Sequence, residues 1–488
     1  MTTAAVLRTR PAPTLDVNLV RLGFAYVGGV CAVLAPFSSV PLEFAVGGAV
    51  PWLILRIIGT PATPAALLYF FVWQWLQVFA RVPQAWVDSE TLSNGLYGPN
   101  VTRAYWYMMA SLVVLALMFR LVLGNVKPAT PAQRTAHYKW QVNDLLRLYI
   151  AGSVLGFVVV LAARVVPSAQ QPLGALGQVK FVGLFMLFAY VLSTGRGTKV
   201  MVGVVLFEIA AGFSGFLSDF RSVFIYLGIS TIAARIKWSG TVAVISIIGL
   251  MALVTLSLFW TSVKMDYRTF AAQSDESQAI VMPLSDRLAF LGGRALAPNI
   301  DLSRTSYQLL IRLAYVDIFG SVIDVQEASP EAMPMRQWRE AIGHVLVPRM
   351  LFPGKAELSD SEVYTRLARG FTFEDIRMGT SISVGYMGEI FADMGFPGML
   401  VGMAFLGLMI AGVIRLILSF QVPLIMREAI IMAFMSSMAT TGVEISLPKV
   451  LGAMFMFFIV FVMLNKFLFP KVVKWLDQRS ALARLKYS

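Results

Sequence analysis

Apolar residues fill this chain in long blocks, and a single long polar segment interrupts them. A helix needs about 20 apolar residues to cross about 30 Å of hydrocarbon. Twelve runs reach or approach that length, at 19–36, 42–59, 64–82, 104–124, 145–166, 177–195, 198–216, 220–235, 241–263, 395–418, 425–443 and 449–469. The pattern predicts an all-α polytopic membrane protein with about twelve transmembrane helices. The eighth run is short for a full crossing. Between the ninth and tenth runs the chain turns polar, from Lys264 to Thr380. The expected organisation is therefore nine helices in residues 1–263, one large loop over 264–394, and three helices with a basic tail in 395–488.

The loop has periodicity of its own. Tyr307–Phe319 shows helical apolar spacing, with Arg304 and Arg312 on another face, and Arg336–Leu346 reads as a second short amphipathic helix. Pro330 and Pro334 separate the two, and Pro348 and Pro353 fix an extended, turn-rich connection after them. With 13 basic and 15 acidic residues over 264–380, the polar segment is nearly neutral.

Basic residues orient the chain. With the N-terminus inside, the inner segments carry twenty-one Lys and Arg, and the short outer loops carry six. Positive charge marks the cytoplasmic side. Both termini are expected in the cytoplasm of a bacterial-type cell, with the large loop on the periplasmic face of the inner membrane. The formal charge of +13 therefore follows membrane orientation, and nucleic-acid binding is not expected. Hydrophobic residues make up 57% of the chain and charged ones 14%, far from a soluble composition. Cys31 is the lone cysteine, which excludes an internal disulfide, and only His137 and His344 are histidines. No metal and no cofactor is expected.

Polar residues at the edges of the apolar runs are the candidates for chemistry. Asp219 and Arg221 open the eighth run. Arg221 reads either as a surface partner of Asp219 or as an anion clamp, because a guanidinium fork matches phosphate oxygens. Arg349 and Lys355 sit on the Pro-rich turn Val347–Lys355, either stapling a loop or binding a lipid-linked pyrophosphate. Glu389 and Asp393, four residues apart in Ser381–Gly398, share one helical face and either cap helices or handle a sugar hydroxyl. Glu208 lies midway along the seventh run, where an ionised group costs about 2.5–3.5 kcal/mol and needs a partner. Glu444 and Lys449 bracket the outer end of the eleventh run, close enough to pair.

The DFRS stretch with Arg221, the late outer loop, VPRMLFPGK near its end, and the run SISVGYMGEIFADMGFPGMLVGMAFLGLMI together resemble the Wzy-type oligosaccharide repeat-unit polymerases. The resemblance covers the overall architecture, and specific residues only near 214–224 and 343–410. It implies a glycosyltransferase C-like fold shared with the O-antigen ligases. It also implies a substrate linked to undecaprenyl pyrophosphate, with a flippase and a chain-length regulator as possible partners beside the bilayer. On that basis Arg221, Arg349 and Lys355 are expected at the pyrophosphate, Glu389 and Asp219 in catalysis, and His344, Tyr386 and Asp393 near sugar. The ligases carry a loop histidine followed some ten residues on by glycine, a spacing that His344 and Gly354 share, although Val345 replaces the polar residue expected next. A ligase is the second expectation, and a lipid-oligosaccharide flippase or transporter the third.

Overall fold

Every one of the twelve apolar runs forms a helix. The computed structural model describes residues 14–94, 98–213, 219–273, 280–296, 301–331, 333–347, 352, 354–355, 358–368, 382–439 and 442–485. In chain order the helices of the first nine runs are α1 (Val17–Leu34), α2 (Pro41–Ile58), α3 (Ala66–Phe79), α4 (Val101–Leu123), α5 (Val142–Val165), α6 (Val179–Thr194), α7 (Thr198–Phe213), α8 (Arg221–Ala233) and α9 (Gly240–Ala272). The large loop holds α10 (Leu284–Leu296), α11 (Leu302–Leu313), α12 (Val316–Ala328), α13 (Arg336–Leu346) and α14 (Asp360–Leu367). Then come α15 (Gly385–Leu418), α16 (Leu424–Ala439), α17 (Leu447–Phe467) and the tail helix α18 (Phe469–Leu485).

Among the described residues, eight helical segments are long and apolar enough to cross a membrane. The other four are shorter: α3, α7, α8 and α16 have 14, 16, 13 and 16 residues. Helix α16 shows why length alone does not decide. Its residues Ile430, Ile431, Met432, Ala433, Phe434 and Met435 are all 0% exposed, so protein rather than lipid surrounds it. A helix apolar on every face is a core helix. It packs against α3, α6, α15 and α17. Tyr226 of α8 meets Ser436 on it, hydroxyl to hydroxyl at 2.7 Å.

The segments between helices fall into two groups that touch within themselves. In one, Leu15 N donates to Ile236 O at 2.8 Å. Arg134 and Arg235 both donate to Pro61 O, at 3.4 and 3.2 Å. Lys139 pairs with Asp477 of α18 at 2.9 Å. In the other group, Trp86 Nε1 donates to Phe37 O at 2.9 Å, Tyr315 N to Gln77 O at 3.0 Å and Tyr386 N to Ile445 O at 2.7 Å. The first group gathers the segments expected inside, and the second gathers those expected outside.

The large loop is built onto the second end of the bundle. Helix α12 lies on α4, where Asn100 Nδ2 donates to Asp324 at 2.7 Å and Arg103 pairs with Glu327 at 2.5 Å. Beneath it Arg81 faces Asp317 at 3.6 Å, both nearly inaccessible to solvent. Helix α13 packs against α15 and α17. Three expectations change. The single helix over Tyr307–Phe319 is two, α11 and α12, because Tyr315 N bonds Gln77 O and the Tyr315 hydroxyl bonds Ser383 O, pinning the chain to α3 at the break. The ninth helix does not stop at 263 but continues to Ala272. The tenth begins at Gly385 and carries a non-helical pair, Gly395 and Phe396, where the run was expected to start.

Candidate functional site

A group of cations collects where α8, α9 and α11 meet. Helix α9 outruns its apolar stretch, so Lys264 and Arg268 stand one helical turn apart on the same face of its polar end. Helix α11 packs against this end of α9 and brings in Arg312. Arg221 sits at the first position of α8. Electrostatic interaction links Arg312 to Arg221 and Glu444, and links Lys264 to Arg268 and Arg312. Arg221, Lys264 and Arg312 make no hydrogen bond or ion pair with any described residue. Arg221 and Asp219 therefore do not form the surface pair that their proximity in sequence suggested. Asp219 instead accepts from the Ser222 hydroxyl.

These groups lie partly at the surface of the protein. Arg221, Arg312 and Asp219 all keep exposed surface. Yet desolvation by the surrounding protein lowers Arg312, with Arg221 pushing the same way and Glu444 opposing it. Desolvation likewise raises the Asp219 carboxyl against the pull of Ser222 and Arg221. Tyr69 of α3 lies within electrostatic range of Arg221 and Asp219. Arg221, Lys264 and Arg312, three cations with no bonded partner among the described residues, suit an anionic ligand.

Glu444 is held from below. Gln77 of α3, 1% exposed, donates through Nε2 to Glu444 Oε1 at 3.3 Å and accepts from Val443 N at 2.8 Å. Gly442 has φ +70°, and a Cβ there would lie 1.8 Å from Gln77 Oε1, so only glycine allows this approach. From the other side Tyr386 N donates to Ile445 O at 2.7 Å. Leu447 N donates to Glu389 Oε2 at 3.0 Å. Burial, resisted by Arg221, Arg312 and the Gln77 bond, raises the Glu444 carboxyl above the ordinary glutamate value.

Several residues singled out in the sequence have other work in the structure. Glu389 is 2% exposed and serves the N-terminus of α17. Asp393 accepts from Gln337 N at 2.9 Å and Trp338 N at 2.8 Å, capping α13, whose own N-cap, Met335, has no side-chain acceptor. The Tyr386 hydroxyl donates to Gln74 in the buried interior. Lys355 donates to the carbonyls of His344 and Val347, so its ammonium closes the C-terminus of α13. The His344 ring is half-buried on that helix. Arg349 lies outside the described residues. Glu208 has its partners: Tyr149 donates to one oxygen and Lys180 to the other, the latter at 2.8 Å. Glu444 and Lys449 do not pair, since Lys449 bonds Asp360.

Sequence reasoning missed Gln77, Lys264, Arg268, Arg312 and Glu444 as a set. One signal was present. Gln74, Gln77 and Arg81 lie on one face of an otherwise apolar run, and buried polar groups need partners. Among the described residues no three His, Cys, Asp or Glu side chains come together to hold a metal. An open groove of about 540 Å³ at the opposite end, lined by Gln421, Val473, Lys474 and Asp477, is remote from the cation group. No family model matches this chain, and no curated protein or solved structure matches it either.

Proposed function

We propose that this protein is a polymerase that joins oligosaccharide repeat units carried on undecaprenyl pyrophosphate. The observation that carries the reading is the gathering of Arg221, Lys264, Arg268 and Arg312 at one end of an apolar helical bundle. Like charges held together, as Arg221, Lys264 and Arg312 are, repel one another unless an anion joins them. A lipid-linked pyrophosphate diester carries two negative charges at the end of an apolar tail. Its tail suits the bilayer and its phosphates suit the cations. Donors fixed where charge develops favour departure of the pyrophosphate when the glycosidic bond breaks.

In this reading all twelve apolar helices cross the membrane, the termini are cytoplasmic, and the cation group faces the periplasm. The alternating contacts of the inter-helix segments and the excess of inner basic residues support that topology. The resemblance to the Wzy-type polymerases supports a glycosyltransferase C-like fold. The growing chain leaves its carrier and joins the terminal sugar of a new lipid-linked unit, so the energy travels with the substrate. An O-antigen ligase shares this site chemistry and differs in its acceptor. A flippase reading has less support, because a transporter concentrates polar groups at mid-membrane on broken helices, whereas here they gather at one end.

Analysis of lipid-linked glycans in a strain lacking the gene tests the proposal. Single repeat units accumulating on the carrier agree with a polymerase. Full-length chains stranded on the carrier indicate a ligase, and a carrier pool that never reaches the outer leaflet indicates a flippase.

A further inference from the structure

We infer that Glu444 is the base that takes the proton of the acceptor hydroxyl. The assignment rests on the polymerase reading and adds a residue to it. Among the described residues, Asp219 and Glu444 are the carboxylates linked to Arg221, and Glu444 alone of the two is linked to Arg312 as well. Asp219 has its oxygen engaged by Ser222. Glu389 and Asp393 are engaged by backbone N–H groups. Glu444 retains part of its surface to solvent, and one of its oxygens is fixed by Gln77 while the described residues offer no donor to the other.

The surroundings suit a carboxylate that must be ionised yet basic. Gln77 of α3 bonds it, and Arg221 of α8, Arg312 of α11 and Tyr315 just before α12 lie within electrostatic range. The two guanidiniums keep the carboxylate charged, and its partial burial keeps it from being too weak a base. Segment 442–447, which carries it, is clamped by Gln77 on one side and by Tyr386 and Glu389 on the other. A base next to the leaving-group cations is where an attacking hydroxyl must arrive.

The step balances without a further reactant. The acceptor sugar oxygen forms a bond to the anomeric carbon of the donor chain. The bond between that carbon and the phosphate oxygen breaks, and undecaprenyl pyrophosphate departs with the electron pair. The hydroxyl proton passes to Glu444 and from there to water.

Two measurements test this: binding of undecaprenyl pyrophosphate to the purified full chain in nanodiscs, and polymer formed by a strain carrying the same variant. Glu444→Gln preserves shape and removes the charge. The expected result is polymer synthesis reduced about 10²–10⁴-fold, with undecaprenyl pyrophosphate bound as well as before or a few-fold tighter, because a negative charge has left the cation group. Normal polymer from Glu444→Gln overturns the assignment. Loss of both polymer and binding overturns it too, since Glu444 is then a structural counter-charge. If the wild-type protein does not bind undecaprenyl pyrophosphate, the polymerase reading itself fails, and the assignment fails with it.

Discussion

Gln77 and Glu444, far apart in the chain, meet at 3.3 Å, and the same Gln77 side chain accepts from Val443 N at 2.8 Å. One buried amide thus fixes the loop that carries the carboxylate facing the cations. Gln77→Ala removes both bonds and leaves a buried backbone N–H unsatisfied, which costs about 1–3 kcal/mol. The expected outcome is a lower thermal midpoint in nanodiscs together with shortened polymer. An unchanged midpoint contradicts the clamp.

The arginines separate the site from an ordinary surface. Lysine keeps the charge but loses the planar fork. Arg221→Lys and Arg312→Lys should each reduce polymer synthesis about a hundred- to thousandfold, the effect of losing one preorganised charge stabiliser. A surface arginine bound only to a nearby acid is worth about 0–1 kcal/mol, and its loss would barely register. Polymer length on a gel, normalised to protein in the membrane, distinguishes the two.

The Lys180–Glu208 pair should be structural. Its side chains are 24% and 10% exposed, and Tyr149 adds a second contact to Glu208. Lys180→Met strands the carboxylate, which costs about 3–5 kcal/mol for a buried pair. The double variant Lys180→Met with Glu208→Gln should recover much of that loss. Thermal unfolding of the three proteins checks it, and a double variant as unstable as the single one counts against the pairing.

Asp317 gives a pH signature. Burial, opposed by Arg81, pushes its carboxyl up to about 6, above the ordinary aspartate range. The folded protein thus binds this proton more tightly than the unfolded chain. Stability contributed by the protonated form is complete below the unfolded value, falls as pH rises through that window, and is gone above about pH 6. The thermal midpoint of the wild type should therefore fall relative to Asp317→Asn between about pH 4 and 6. A difference between the two proteins that does not change across that window contradicts this.

The bundle was legible because long apolar runs favour helices, and all twelve runs returned as helices. Helix α13 was legible to the residue, Arg336–Leu346, because its apolar face is strongly periodic. The break at Ala314 was not, because it comes from Gln77 and Ser383, distant residues that capture Tyr315. The site was half legible. Arg221 stood out because a cation is unusual in a short outer loop. Arg312 read as one polar residue on an amphipathic helix, and nothing local says that its helix packs on α9. Glu389 and Asp393 read as a reactive pair, since a carboxylate that caps a remote helix looks the same in sequence as one that meets substrate.

Reconstitution tests the central claim most directly. Purified protein in nanodiscs is given undecaprenyl-pyrophosphate-linked repeat units from the deletion strain, and both glycans and released carrier are measured. The account predicts a ladder of lengthened lipid-linked glycans, with one undecaprenyl pyrophosphate released for each bond formed, and neither product from Arg312→Ala. Repeat units that stay single, with the carrier still attached, would contradict it.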